Sequence, residues 1–383
     1  MNVFKFLPTP LYTKLAMVLI CVIAAGFIAI LGKEVLSPML FAFLLSIVLL
    51  PMADFFEKKW RFRRGGAAGL AVVVLVILLG LLIYLIGSQV SDLASDWPQF
   101  KQQLAHSIDS LHYWISVNFH INLKKQKDFI DTTTSGLLTA STSFIGATVM
   151  SVSSMLLFLV FTMINTFFLL FYRRHIVTFL VNVFKEKNKA TVFNVIEQVQ
   201  YIIRRYILGL LLEMAIVSTA LCLTFWLLDI KYGFLLGLLT GILNIIPYVG
   251  IFTGLLFSVL VTFATAAATS KIILVMITVV IVHLVDSNVL LPFVVASKVK
   301  INGQITLLGV IIGEMMWGIP GMFLSIPVIA IAKIIFDQVD SLKPWGLLLG
   351  DEKSEPPPPA TGDEKGIAVK ALVEEEIKKE TDQ

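Results

Sequence analysis

Cysteine, histidine and charge are all scarce in this chain: two Cys, five His and 15% charged residues among 383. Cys21 and Cys222 both lie in apolar runs, so neither a disulfide framework nor a cysteine-based metal site is available, and both read as packing residues. His106, His112 and His120 are six and eight residues apart, a spacing that does not converge on a metal ion and reads as solvated histidine. The sequence signatures of catalysis are missing as well. It has no H-E-x-x-H pair, no G-x-S-x-G elbow and no P-loop, which removes the zinc hydrolase, serine hydrolase and nucleotide-driven pump readings. An enzyme is therefore not expected, nor a cofactor or a metal. The net charge of +4 is small and falls into local loop clusters, which argues for membrane topology rather than a nucleic-acid partner.

What the chain has in abundance is apolar sequence. It is 57% hydrophobic, with 28 Phe and a mean hydropathy of +0.88, against roughly 45–50% apolar and 25% charged residues in soluble domains. The composition predicts an all-α, polytopic membrane protein in contact with lipid. Spans are expected at about 11–31, 35–52, 66–88, 150–172, 206–228 and 270–292. The first reads as an uncleaved anchor rather than a signal peptide, because no small-residue cleavage pattern follows it.

Two further apolar stretches, 232–266 and 303–338, are too long for one span and too short for two. Each is interrupted near its centre, by "NIIPYVG" and by "WGIPG". A re-entrant hairpin of two half-helices, its tip near the bilayer midplane, fits that length. The tips would lie at Pro247 and Gly250 in the first and at Gly318, Pro320 and Gly321 in the second. Charge supports the assignment, since cytoplasmic loops are enriched in Lys and Arg. With the clusters "EKKWRFRR" (57–64), "YRRH" (172–175), "YIIRRY" (201–206) and "SKVK" (297–300) inside, both hairpins must turn back, and both termini are cytoplasmic.

The two odd stretches also share an offset. Glu213 precedes Pro247 by 34 residues, and Asp286 precedes Pro320 by the same 34. A shift of 73 pairs Leu211 with Leu284 and Leu235 with Leu308, and both prolines follow an isoleucine. With the expected topology this makes 206–266 and 270–338 an inverted repeat, an architecture of secondary transporters whose broken helices meet near the midplane. Ionisable residues inside spans are costly and point to function. Glu213, Asp286 and Glu314, with Asn244, Tyr248 and Asn288, are therefore the candidate substrate- or ion-binding residues, although the acids could instead fix helix packing through Arg or backbone partners.

Around this core the layout reads as follows. Residues 1–65 hold two spans and a basic loop, and 66–175 hold two more spans with an outer region, 88–149. There Phe100, Leu104, Ile108, Leu111 and Ile115 mark an amphipathic helix on the membrane or against a partner subunit. A cytoplasmic linker covers 176–205, the transport unit 206–340, and 351–383, with "EPPPPATGDEK", is a disordered cytoplasmic tail.

Three segments carry a family resemblance: "GFLLGLLTGILNIIPYVGIFTG" (233–254), "VDSNVLLPFVVASKVKING" (285–303) and "LLGVIIGEMMWGIPGMFLSIPVIAIAKIIFD" (307–337). Together the chain resembles the autoinducer-2 exporter family of bacterial inner-membrane proteins, across roughly residues 10–340. Asn244, Pro247, Tyr248, Val249 and Gly250 fit its Asn-x-x-Pro-Tyr-x-Gly element; Asp286, Asn288 and Pro292 fit its acid-x-Asn-x-x-x-Pro element. The chain departs from many members at Ile251, where they carry Pro, and at Gly209-Leu210, where they carry Gly-Gln. The resemblance implies export of a small polar molecule, or cation/proton antiport with a proton or sodium as coupling ion, by a homo-oligomer. A passive channel or a structural membrane protein is the other class left open.

Overall fold

The computed structural model describes residues 11–96, 153–246, 249–265, 269–290 and 301–351. Most of the expected outer region, the three histidines in it, Pro247, Tyr248, the "SKVK" cluster and the tail beyond 351 lie outside these residues. Among the described residues the chain is helical with no strand, and one isolated bridge joins Ile301 to Gly350. Helix is the expected outcome for apolar sequence in lipid, because it satisfies every backbone N–H and C=O within the segment.

The helices are α1 (Leu11–Leu31), α2 (Lys33–Lys59), α3 (Arg64–Ser95) and α4 (Ser153–Phe171), then the short α5 (Arg173–Val183). They continue with α6 (Glu186–Leu227), α7 (Gly233–Leu243), α8 (Val249–Thr265), α9 (Thr269–Val285), α10 (Gly303–Trp317), α11 (Ile319–Gln338) and α12 (Lys343–Leu349). Each expected span has its helix. Among the described residues six helical segments are long and apolar enough to cross a membrane: α2, α3, α4, α6, α9 with the turn that follows it, and α11. The chain is an all-α polytopic membrane protein.

Two expectations are modified. The apolar stretch 206–228 is only the C-terminal half of α6, a helix of 42 residues. Residues expected as a linker, "EKNKATVFNVIEQVQ", prolong it, since they lack Gly and Pro and contain good helix formers. The second broken stretch also differs from a pair of half-helices. Its arm α11 has 20 residues, enough to span, and α10 with 15 reaches about 22 Å at the usual helical rise. Gly318, at φ +67°, makes the break; Pro320 belongs to the first turn of α11, where its missing N–H costs nothing.

α6 is the hub. Toward its N-terminus and middle it packs Val199, Ile203, Tyr206, Ile207 and Leu210 against Leu44 and Ile47 of α2 and Leu324, Ala330 and Ile334 of α11. Toward its C-terminus it packs Val217, Leu221 and Phe225 against Leu236 of α7, Val261 of α8, and Val275 and Val279 of α9. A third cluster, built on Ala53, Ala67, Ala68, Ala71 and Leu170, joins α2, α3 and α4. Small side chains there let the helices approach closely, as is usual in membranes. Many large apolar side chains of α1 and α3 remain exposed, among them Val18, Ile23, Ile77 and Leu81, as suits a lipid-facing surface.

Candidate functional site

The site begins with the way α7 lies on α6. The sequence "GFLLGLLTGIL" places Gly233, Gly237 and Gly241 four residues apart on one face. A methyl group at Gly237 would lie 2.6 Å from the Cys222 backbone nitrogen, and one at Gly241 would lie 2.8 Å from that of Ser218. Only glycine permits this approach, and the stripe holds α7 antiparallel to α6 at backbone contact. The next arm is drawn in the same way: a methyl at Gly250 would meet the Asn244 Cα at 2.6 Å, so α8 folds directly onto the end of α7. Thr240 Oγ1 and Ser258 Oγ, 3.3 Å apart and both buried, join α7 to α8.

This packing delivers the end of α7 to the acids. Asn244 caps the helix, and its Nδ2 donates to Asp286 Oδ2 at 2.9 Å and, more weakly, to Glu213 Oε1 at 3.4 Å. Both Glu213 and Asp286 are 4% exposed as whole residues. Among the described residues no basic side chain pairs with either. The far oxygens, Glu213 Oε2 and Asp286 Oδ1, have no hydrogen-bond partner among the described residues, nor has the buried Nδ1 of His283. Burying two carboxyl groups with one shared amide and two idle oxygens is unfavourable without a further cationic or donor group.

Asp286 owes its position to a local irregularity. α9 ends at Val285 and continues as a π-helical turn, Asp286–Leu290, with Asp286 as its first residue. Such turns are rare and concentrate at functional sites, because the widened backbone re-aims a side chain. Ser287 Oγ donates to the His283 carbonyl at 2.7 Å and Asn288 Nδ2 to the Leu284 carbonyl at 2.8 Å, absorbing backbone acceptors freed by the change of pitch. Asn288 is thus exposed and turned to its own helix. Glu314 is exposed on α10, and no bond joins it or Asn288 to the acid pair among the described residues.

Of the candidates read from the sequence, Glu213, Asn244 and Asp286 come together, and Gly250 supports them. Gly318, Pro320 and Gly321 belong to the second hairpin, where Gly321 packs on the Gly313 backbone. The glycine stripe and the π turn escaped sequence reasoning. The stripe was visible as G-x-x-x-G-x-x-x-G; nothing in "DSNVL" announces the turn.

At the opposite end of α7 from Asn244 the turn 228–232 is pinned by charge. Asp229 and Tyr232 both adopt left-handed backbone angles, φ 50° and 61°, a strained choice for non-glycine residues. Lys271 bonds the Asp229 carboxylate at 3.1 Å, and Lys231 pairs with Asp96 at 2.8 Å. Tyr232 donates its hydroxyl to the same Asp96. The Lys231 ammonium, and then the Tyr232 hydroxyl, hold the Asp96 carboxyl below the usual carboxylate range; Asp96 in turn raises Lys231.

Comparison with known proteins places these residues in a wider set. The family described as AI-2E family transporter matches residues 16–341. YrrI of Bacillus subtilis (strain 168), named as a transport protein, is 24% identical over 318 residues, 79% of this chain and 86% of its own length. YueF of the same organism, similarly named, is 25% identical over 312 residues, 78% and 82%. The AI-2 transport protein TqsA of Escherichia coli (strain K12) is 23% identical over 339 residues, 85% and 92%.

Proposed function

The chain belongs to the AI-2E transporter family, and on that footing we propose a secondary transporter that binds its cargo or coupling cation at Glu213, Asn244 and Asp286. The observation that carries this reading is the single amide of Asn244, placed at a helix break and shared by two buried carboxyl groups from two different spans. A broken helix inside a membrane offers free backbone groups and a side chain together, the arrangement by which transporters hold ions and polar groups at depth. The idle oxygens of both acids can accept from a proton-bearing group or coordinate a small cation.

In this reading the cargo is a small polar metabolite or signalling molecule, moved outward across the bacterial inner membrane with a proton or sodium as driving ion. Tyr248, Asn288 and Glu314 are the further substrate- or ion-binding residues of this reading, and both hairpins are re-entrant. The N- and C-terminal segments face the cytoplasm, and the working unit is a homo-oligomer. Cation/proton antiport draws on the same two acids: a pair with no basic partner among the described residues can exchange one cation for another without an organic cargo.

The test is flux in proteoliposomes of purified protein, with proton and sodium gradients imposed separately and small polar metabolites offered as cargo. Gradient-driven movement should be abolished in Asp286→Asn and Glu213→Gln. Cation exchange without cargo would select the antiport reading. Wild-type rates in both variants, or a leak indifferent to every gradient, would refute the acid-pair mechanism.

A further inference from the structure

The two ends of this molecule treat their charges differently. At the turn 228–232 each described lysine has an acidic partner: Lys231 has Asp96 and Lys271 has Asp229. At the other end, the turn between α2 and α3 reads "KKWRFRR", residues 58–64, and every residue in it is exposed. Its neighbours Asp54 and Glu57 are already engaged. One guanidinium nitrogen of Arg173 reaches both, at 2.6 Å each, and Arg64 and Arg174 share Glu57 at 3.7 and 3.5 Å. Lys58, Arg61 and Arg63 have no acidic partner among the described residues, and Lys59 lies over the Phe55 ring. Arg61 adopts a left-handed backbone angle, φ 53°, which puts Trp60 and Phe62 on the rim of the turn, ring centres 6.1 Å apart.

The same Arg173 contacts bring a second element to this patch. α5 starts at Arg173 and none of its residues is buried. Arg174, His175, Thr178 and Asn182 occupy one side of it, and Phe179 and Val183, four residues apart, project from another with 62% and 61% of their surface exposed. A basic amphipathic helix beside an exposed Lys/Arg/Trp/Phe turn matches the chemistry of a membrane interface: rings at headgroup depth, cations on phosphate.

We propose that the α2–α3 turn and α5 together form a binding site for anionic phospholipid, in the leaflet that the positive-inside rule assigns to the cytoplasm. Lys58, Lys59, Arg61 and Arg63 meet the headgroup charge, while Trp60, Phe62, Phe179 and Val183 enter the interface. The Asp54–Arg173–Glu57 bridge keeps the two elements together and withholds both nearby acids from those four cations. Nothing in this proposal depends on the acid pair, so the two stand or fall separately.

The experiment is native mass spectrometry of the full chain from mixed micelles holding equal phosphatidylglycerol and phosphatidylcholine. The wild type should retain phosphatidylglycerol preferentially. Arg61→Gln with Arg63→Gln should lower that preference by about fivefold per cation removed, the size of a juxtamembrane cation's attraction to an anionic surface. Lys58→Gln with Lys59→Gln gives an independent second reading of the same turn. Equal retention of the two lipids by the wild type, or a preference unchanged in both double variants, would overturn the proposal. Displacement of the lipid by millimolar glycerol 3-phosphate would also overturn it, assigning the site to a soluble phosphate. So would a changed oligomer mass with lipid retention intact, which would make this face a contact between copies.

Discussion

The glycine stripe on α7 permits a test that separates packing from propensity. In Gly237→Ala the new methyl group would lie 2.6 Å from the Cys222 backbone nitrogen and 2.9 Å from its Cα. Ordinary contact begins at 3.4 Å, so α7 must retreat from α6 by about 0.8 Å, because backbone atoms cannot step aside as a side-chain tip can. Overpacking of this kind costs about 1–3 kcal/mol, and replacing glycine by alanine within a helix returns about 0.8–1 kcal/mol. Gly26 of α1 supplies the control: nothing lies within 4 Å of a methyl placed there, so Gly26→Ala collects the propensity term alone. Gly237→Ala should therefore fall below Gly26→Ala in stability by about 1–3 kcal/mol. The retreat also carries Asn244 away from its 2.9 Å bond to Asp286. Thermal unfolding of both variants in one detergent, together with flux in proteoliposomes, reads the two consequences. Equal unfolding temperatures and equal flux would refute the reasoning.

Asn244→Ala leaves two buried carboxyl groups without their shared donor, and should cost about 1–3 kcal/mol and abolish coupled flux; calorimetry beside flux measurement decides it. Arg173→Ala strips Asp54 and Glu57 of their common partner in a half-exposed site and should cost about 1–2 kcal/mol in chemical unfolding. Arg173→Lys should lose little, since one nitrogen reaches both acids and the guanidinium fork is not used; a loss equal to that of alanine would contradict this. The Asp96–Lys231 pair sets a pH window. Asp96 titrates below its ordinary 3.8, so its contribution is complete above that value and disappears only as pH falls through the lowered one. Lys231 titrates above 10.5, so its contribution is complete below that value and is lost as pH rises through the raised one. The pair is thus constant from pH 5 to 9, and Asp96→Asn should leave the shape of the flux profile unchanged across that range; a displaced midpoint would show otherwise.

Much of this architecture was legible because lipid leaves so few options. Among the described residues, apolar runs located five of the six helices long enough to span, α2, α3, α4, α6 and α9; the sixth, α11, was expected as a hairpin arm, and α1, expected as a span, is not among the six. The lengths of 232–266 and 303–338 pointed to a break in each. The acids were found by the same economy, since an ionisable group inside an apolar run needs a reason. What was not legible depends on pitch and approach. The π turn at Asp286 changes which way a carboxyl group points without changing composition. Glu314 and Asn288 looked equivalent to Glu213 and Asn244 along the chain, but lie on exposed faces, a matter of rotation about the helix axis that broken helices do not preserve. Within the expected tip Gly318, Pro320 and Gly321, the first glycine rather than the proline makes the reversal. Pro320 marks the start of a helix, and the chain reverses at Gly318, two residues earlier.

The repeat offset sharpens the contrast between the two hairpins. A shift of 73 aligns Asn244 with Trp317, the last residue of α10. The amide of Asn244 turns inward to the acids, but the indole Nε1 of Trp317 donates to the Ala29 carbonyl of α1 at 2.8 Å. One tip therefore reaches the acid pair and the other attaches to the first helix of the chain. The bonds at Asn244 divide in the same sense. That to Glu213, at 3.4 Å, stays within the first unit, and that to Asp286, at 2.9 Å, crosses to the second. Of the two bonds, the one to Asp286 is therefore both the shorter and the one that relative motion of the two units would strain. If the acid pair is the binding site proposed above, its occupancy and the Asn244 bond meet on one carboxyl group, the ligand at the idle Oδ1 of Asp286 and Asn244 at Oδ2, so that a ligand with different affinity for the two arrangements would shift the balance between them.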